Sequence, residues 1–533
     1  MPHAVPHAMP GAFAVPRALD PERPQIWLEQ QIWGHRFYND QTPWLLLLEA
    51  LGLMACRAAD RNCGGQVFPG VSAGCDPSGS AESASIHESM RYELKAARRL
   101  RRILFADRGI EDAAQEQAVS DAVLWDRWLA GAGEAEFGYL RARFARFSGF
   151  RNAVALLRGS EVEPQRKRRL TSRHLAPCGP AMLCADYGEA RRGPGTNSNI
   201  NKDRRFFARG GELLFLMLNR SGRAEALEPL VKRRLLSPRS RWNRLAERLA
   251  PPEPDAPVTF DTGYLPLPRH RAYKALGRDW LSLLSLDALP DDHLSEPLMR
   301  LSALAAVRYI AERAAEVLGE DRPLMPIDTM GPETAGLRKL SRAAFARHRD
   351  MTRRAIERVA DDFIAFPAWV DACRQHNPTK AALELVRAHF GFEPKEPGSR
   401  TLAALPHAIK EAALDNHEQH LGRVMGFYAE QIGLAARRGA SRWYVLGDPL
   451  LEAVVLGNVA APVEYEAFLA LLHGRYGFVI GTEAAGRHYT HVNYQQVKAN
   501  QQHLEDRLRM LGLLKRLSDD CAFVINPFWT ERT

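Results

Sequence analysis

The chain has no apolar run long enough to span a bilayer. Its longest, Trp44 to Leu48 continuing to Met54, is interrupted by Glu49 and falls short of the ~20 residues that a helical span needs. Cysteine is scarce, with seven scattered in 533 residues and no Cys-x-x-Cys pair. That argues against a secreted disulfide framework and against a zinc ribbon. Residues 1–24 lack the charged-then-apolar pattern of a signal peptide. Rich in Pro, Ala and His, they are expected to form a disordered tail, and the protein is expected to be cytoplasmic. No G-x-x-x-x-G-K-[ST] string occurs, so nucleotide hydrolysis by a P-loop is not expected. No paired carboxylates with a lysine lie on a convincing hairpin, which leaves a metal-dependent nuclease core unsupported. No cofactor, metal site or catalytic residue is expected. Lysine is also rare, 11 against 61 arginines, so a single arginine means little here and a cluster means more.

What is present reads as a soluble, mainly α, multi-domain protein. Hydrophobic residues make up 46% and charged residues 25%, an ordinary globular balance, and the length allows three or four domains. The formal net charge is +9, very unevenly spread. Between Arg151 and Ala250 there are 22 Lys+Arg against 9 Asp+Glu, a net of +13, which leaves the remainder at −4 (9 minus 13). Such a field attracts polyanions by steering and counterion release.

Periodicity predicts a helical region over 25–150, including Trp44–Cys56 and an amphipathic helix over Ser89–Phe105, with an irregular loop from Arg57 to Ser85. The basic region, 151–250, carries Arg166, Lys167, Arg168 and Arg169, then Asn201, Lys202, Arg204, Arg205 and Arg209, then Lys232, Arg233 and Arg234. These are the expected phosphate contacts. Residues 159–205 have no clear period and read as an extended loop feeding an apolar helix, Phe206–Asn219. In that loop, amides and helix-terminal N–H groups can meet phosphates; equally, it can be a structural loop with Phe206 and Phe207 in the core. Pro251–Pro257 is the best linker candidate. A helical domain is expected over 258–440, including one long helix from Thr401 to Arg437.

Residues 445–533 read as a winged helix-turn-helix. Helices are expected at Pro449–Val459, from Pro462 to Gly474 or Gly477, and at Asn493–Leu511. Short strands follow at Leu513–Leu517 and Ala522–Ile525, joined by Ser518-Asp519-Asp520. Such a unit commonly places its third helix in a DNA groove. The expected outward face offers Asn493, Gln495, Gln496, Lys498, Asn500 and Gln502, with Lys515 and Arg516 at the wing. Winged helices also dock on proteins, and that reading stays open.

Three shorter strings carry less. Gly70–Gly74 matches a nucleophile-elbow string but lacks the preceding strand. His417 and His420 are three apart, whereas the zincin pattern needs four, so surface histidines are the simpler reading. Arg169 and His174 have a spacing seen in some helical ribonucleases, a match that chance produces easily in this composition.

Four strings taken together, Ile32–Phe37, Gln41–Trp44, Phe206–Ser221 and Arg475–Gly481, resemble large proteins encoded beside DNA methyltransferases and ATPases in bacterial anti-phage islands. The nearest family is the non-catalytic, family-specific subunit of the methylation-associated defence system. The resemblance implies partners from the same operon, including an ATPase and a DNA methyltransferase. The expected function is a DNA-binding accessory subunit of such a restriction-type complex. The alternatives are a scaffold that bridges defence proteins without touching DNA, and a divergent nuclease. Replacing Arg166, Lys167, Arg168 and Arg169 with Ala is expected to weaken DNA binding similarly for all sequences. It should flatten the log–log salt slope by roughly 0.9 per lost phosphate contact on duplex DNA, as read from titrations over a salt series.

Overall fold

The computed structural model describes residues 12, 24–34, 37, 41–60, 64–69, 91–94, 97–106, 109–113, 120–162, 173–183, 210–252, 258–261, 264–332, 334–390, 392–518 and 521–530. Among these the chain is mainly α, with short strands. No described helix is long and apolar enough to cross a membrane.

The helix Ser295–Leu318 is the axis of the main core. Eighteen of its 24 residues are buried, including the unbroken run Leu301–Ala315. A helix buried on every side must be covered by other helices. Pro43–Ala59, Arg271–Leu284, Ala335–Ile364, Leu421–Ile432 and Asp448–Asn458 all pack on it. Local signals fix several ends. Thr42 caps Pro43–Ala59 by accepting from Leu45 N, with Pro43 in the first turn. Gly319 closes the central helix at φ +67°, a conformation that favours glycine.

The main core runs from Leu28 to Val524. A second core gathers Leu100–Leu157, Leu175, Met182, Ala246 and Leu249. Its centre is aromatic, with Trp125 edge-on to Phe147 at 5.0 Å and Trp128 4.8 Å from Phe150. The basic region 151–250 is shared between the two: Leu213–Leu236 belongs to the main core, whereas Val154, Leu157, Ala246 and Leu249 belong to the second.

Two helix expectations are corrected. Within Ser89–Phe105 the chain forms a strand, Arg91–Leu94, antiparallel to Val258–Asp261, and turns helical only from Arg98. A partner strand about 165 residues away in sequence is invisible to local periodicity. The expected helix Thr401–Arg437 is two helices, Leu405–Gln419 and Leu421–Ile432, followed by the hairpin Ala435–Arg438 and Ser441–Tyr444. His420 leaves helical geometry at φ −120°, ψ −92°, and Gly433 ends the second helix at φ +84°.

The last ninety residues contain Asp448–Asn458, Tyr465–Tyr476, Thr482–His488 and Tyr494–Met510. They also hold a three-stranded antiparallel sheet in which Cys521–Val524 lies between Leu514–Ser518 and Val463–Glu464. Gly474 lies within the second of these helices; Gly477, at φ +79°, is what ends it. The helix Thr482–His488 was not expected. Phe478–Val479 pairs in parallel with Met325–Pro326, tying this region to the chain just beyond the central helix.

Charges are buried where these parts meet. Arg308 and Glu312, both on the central helix, pair at 2.8 Å with side chains 2% and 3% exposed. Nearby, Asp279 accepts from Tyr476 Oη at 2.9 Å and faces Arg475 at 2.8 Å. Burial, opposed by Arg475, pushes the Asp279 carboxyl up from about 3.8 to about 6. On the same network Glu316 is held down, to about 2; burial opposes this, but His270 and Arg313 outweigh it. The two have opposite linkage. Asp279, raised in the fold, contributes stability that is fully present below about pH 3.8 and is lost as pH rises through about 6. Glu316 contributes stability present above about 4.5 and lost as pH falls through about 2. Of these two carboxyls only Asp279 changes charge between pH 5 and 7, so Asp279→Asn should remove on the order of 1 kcal/mol of the stability decrease on raising pH. Urea unfolding at the two pH values measures it, and an identical pH dependence in both proteins would refute it.

Candidate nucleic-acid interface

The helix Arg241–Leu249 is amphipathic by arginine spacing. Asn243, Ala246 and Leu249 are buried, Trp242 and Leu245 lean on the second core, and Arg241, Arg244 and Arg248 face outward at three- and four-residue steps. Its start is rigid. Ser240 Oγ accepts from Asn243 N at 3.0 Å, and the buried Asn243 amide accepts from Ala181 N at 2.7 Å and donates to Pro238 O at 3.1 Å. Gly179, at φ +137°, must be a glycine, since a Cβ there would sit 2.6 Å from Asn243 Cβ. Its end is closed by cations, as a helix C-terminus favours. Arg143 donates to the carbonyls of Glu247 and Arg248, and Arg248 donates back to Arg143 O. Arg248 is therefore structural. Arg239, Arg241 and Arg244 are exposed and have no carboxylate partner among the described residues.

The residues singled out in the sequence fare differently. Arg166, Lys167, Arg168 and Arg169, and likewise Asn201, Lys202, Arg204, Arg205 and Arg209, lie outside the described residues. The ends flanking the first group are adjacent, because Val162 pairs with His174 in an antiparallel register. From there Cys178–Met182 packs directly on the arginine helix.

Beyond the second group, the helix Gly210–Asn219 begins. Its first N–H groups are taken: Gly210 N donates to Gln41 Oε1 at 3.1 Å and Gly211 N to Glu49 Oε2 at 2.7 Å. Of the two readings of the preceding loop, these contacts favour the structural one, since Gln41 and the buried Glu49 carboxylate already take the N–H groups of Gly210 and Gly211.

Lys232 pairs with Glu228 at 2.7 Å and Arg233 with Asp287 at 3.1 Å. Arg234 is a correction. Only 7% exposed, it reaches Asp291 at 2.7 Å and donates to the carbonyls of Leu284, Leu286 and Leu289. It holds the end of the helix Arg271–Leu284 and cannot reach DNA.

On Tyr494–Met510, Gln495 and Lys498 are exposed, as is Lys515 on the hairpin. Arg516 pairs with Glu505. Asn493 and Gln502 are exposed as well, with Gln502 donating to Glu505 Oε2 at 3.3 Å, whereas Gln496 and Asn500 are engaged by other parts of the protein, against expectation. Asn493 caps the helix and Gln496 Oε1 accepts from Gly336 N at 2.8 Å. Asn500, fully buried, accepts from Thr329 N and Oγ1 and donates to Ile327 O and Ile480 O. Gln496, Asn500, His503 and Arg507 recur at steps of four, three and four, and this stripe docks on the rest of the protein. The same spacing was the available signal.

Of the weaker strings, Gly70–Gly74 and Arg169 lie outside the described residues. His417 is a core residue, with Nε2 3.0 Å from Thr352 Oγ1 and its ring stacked on Trp33. No group of three or more metal-ligating side chains occurs among the described residues.

The region that carries this docked helix is also the one with relatives. Residues 386–527 match the family model of methylation-associated defense system protein MAD7. Over this segment, about a quarter of the chain, the resemblance read from the sequence is shown, and it is to a defence-system component. No curated protein and no solved structure matches the chain. The MAD7-like segment includes the three-stranded sheet and the amide helix, and the arginine helix lies outside it.

Structural and surface arginines should separate by stability. Arg234→Ala leaves buried carbonyls unsatisfied and should cost at least about 1–3 kcal/mol, whereas Arg244→Ala should stay within about 0.5 kcal/mol. Urea denaturation of the two variants decides it; equal losses would contradict the assignment.

Proposed function

We propose that the protein is a DNA-binding accessory subunit of a bacterial anti-phage defence complex. The observation that carries this is the rigid helix Arg241–Leu249, whose Arg241 and Arg244, with Arg239 before it, stand exposed without carboxylate partners among the described residues. They lie in the basic region 151–250, whose net charge is +13. Guanidiniums presented this way suit the phosphate backbone, which positions a protein on DNA without reading sequence. In this reading the segments holding Arg166–Arg169 and Asn201–Arg209 extend the same contact. Partners encoded in the same operon, including an ATPase and a DNA methyltransferase, would supply the chemistry.

A second reading rests on a different surface. The order helix, strand, helices, hairpin, with the strand Val463–Glu464 beside Cys521–Val524, supports a winged helix. Its amide stripe is engaged inward, while Tyr494, Met510, Leu511 and Leu517 are 54%, 77%, 39% and 63% exposed. Met510, Leu511 and Leu517, at the C-terminal end of the helix and on its hairpin, favour docking on protein. On that view the segment is a scaffold.

Arg241→Ala with Arg244→Ala is the test. Binding of fluorescent duplex DNA should weaken equally for unrelated sequences, and the log–log salt slope should fall by roughly 1.8 if each arginine contacts one phosphate. An unchanged slope would remove this helix from the interface. Absence of salt-dependent DNA binding by the unmodified chain would leave the scaffold reading.

A further inference from the structure

A cavity of about 720 Å³ opens between the segment 321–324, the helix Ala335–Ile364 and the MAD7-like helices Tyr465–Tyr476 and Thr482–His488. Its size lies in the range of small-molecule sites, roughly 300–1,000 Å³. It is apart from the arginine helix, and no residue of the proposed DNA interface lines it.

One wall contains an uncommitted donor. His348 is 4% exposed and lines the cavity. Its Nδ1 lies 2.7 Å from Tyr444 Oη. Tyr444 is fully buried, and its hydroxyl has no other partner among the described residues, so the O–H donates to Nδ1. Burial, aided by the Arg347 charge, holds the imidazole neutral by pushing its pKa down to about 3. The proton of the neutral ring therefore sits on Nε2, and this N–H has no acceptor among the described residues. A neutral, oriented donor in the cavity wall suits an uncharged acceptor on a ligand.

The rest of the lining divides into an apolar part, a cationic part and one exposed carboxylate, Asp321. Leu340 and Ala344 give the apolar surface, beside the half-buried ring of Tyr489. Arg347 shares one carboxylate, Glu320, with Arg354, at 2.9 and 2.7 Å, which leaves an excess positive charge. Across the cavity His473 and His488 face each other, Nε2 to Nε2, at 3.0 Å. Only one proton can lie between two such nitrogens, and burial, with His488, Arg322 and Arg487 nearby, pushes the His473 pKa down, so His473 meets a ligand as a neutral ring.

From these residues we propose that the cavity binds a nucleoside monophosphate. The base would lie on Leu340, Ala344 and Tyr489, with an acceptor on the His348 Nε2–H, and the phosphate would meet Arg347 and the His473–His488 pair. Because its walls come from the MAD7-like segment and from the helix Ala335–Ile364, an occupant would bridge the two.

Calorimetric titration of the full chain with AMP and GMP, with adenosine, guanosine and inorganic phosphate as separate probes, tests this. At least one nucleotide should bind with a dissociation constant below about 1 mM, and its nucleoside and inorganic phosphate at least about tenfold more weakly. Ala344→Trp, which fills the apolar part, and Arg347→Glu, at an exposed position, should each weaken the nucleotide at least about tenfold while leaving the thermal midpoint near that of the parent. The proposal is overturned if neither nucleotide binds, if inorganic phosphate binds as tightly as the nucleotide, or if both variants retain parental affinity. DNA binding by the arginine helix is independent of each of these outcomes.

Discussion

The Arg308–Glu312 pair is the constraint around which the molecule is assembled. Two opposite charges one helical turn apart sit almost without solvent on the central helix. Desolvating them is expensive, and their mutual attraction compensates only if other groups complete the shell. Groups from distant parts of the chain gather round the pair, although Arg308 Nε and Nη1 and Glu312 Oε2 have no hydrogen-bond partner among the described residues. Arg322 and Arg271 approach Glu312 at 3.5 and 3.6 Å, and Arg308 lies over the Tyr476 ring at 5.4 Å. Tyr476 in turn donates to Asp279, and Arg475 bonds Asn458. The helix Arg271–Leu284, the central helix and the MAD7-like segment are thus obliged to meet at one place. Apolar burial supplies the driving force for this assembly, and the charges set which elements must meet.

The strings Ile32–Phe37 and Gln41–Trp44 lie close to the same axis. Trp33 Nε1 donates to Ile310 O, Tyr309 Oη donates to Trp33 O, and Arg313 Nε donates to Ile32 O. Gly34, at φ +90°, passes so close to Tyr264 O that a Cβ would lie 2.2 Å away. Gln41 bonds Glu49, and together they hold the start of Gly210–Asn219. These residues form packing and capping contacts.

Much of the fold was legible from local pattern. The helix Tyr494–Met510 and the hairpin after it lie within a residue of where periodicity and turn chemistry put them, and Asn493 and Gly512 behave as cap and stop. What periodicity could not give was partnership. Arg91–Leu94 is a strand only because Val258–Asp261 lies beside it. Asn500 looked like a base-reading amide until Thr329, Ile327 and Ile480 closed around it. Arg234 and Arg241 read alike in a basic block, yet one holds three carbonyls in the interior and the other faces solvent. Whether a polar side chain is used inward or outward depends on contacts far away in sequence. The spacing of Arg241, Arg244 and Arg248 against Trp242, Leu245 and Leu249 was the local signal that would have found the arginine face.

The parallel pairing of Met325–Pro326 with Phe478–Val479, with the bridge from Asp328 to Val445 beside it, bears on how such proteins can diverge. Strand edges and the Asn500 pin cross the boundary of the family-like region, so that region is not a cassette. A chimaera exchanging residues 386–527 between related systems would inherit an unmatched strand edge and an orphaned buried amide unless residues 325–338 travelled with it. Compatible change on the two sides of this seam must therefore occur in step, and the seam itself should tolerate the least drift.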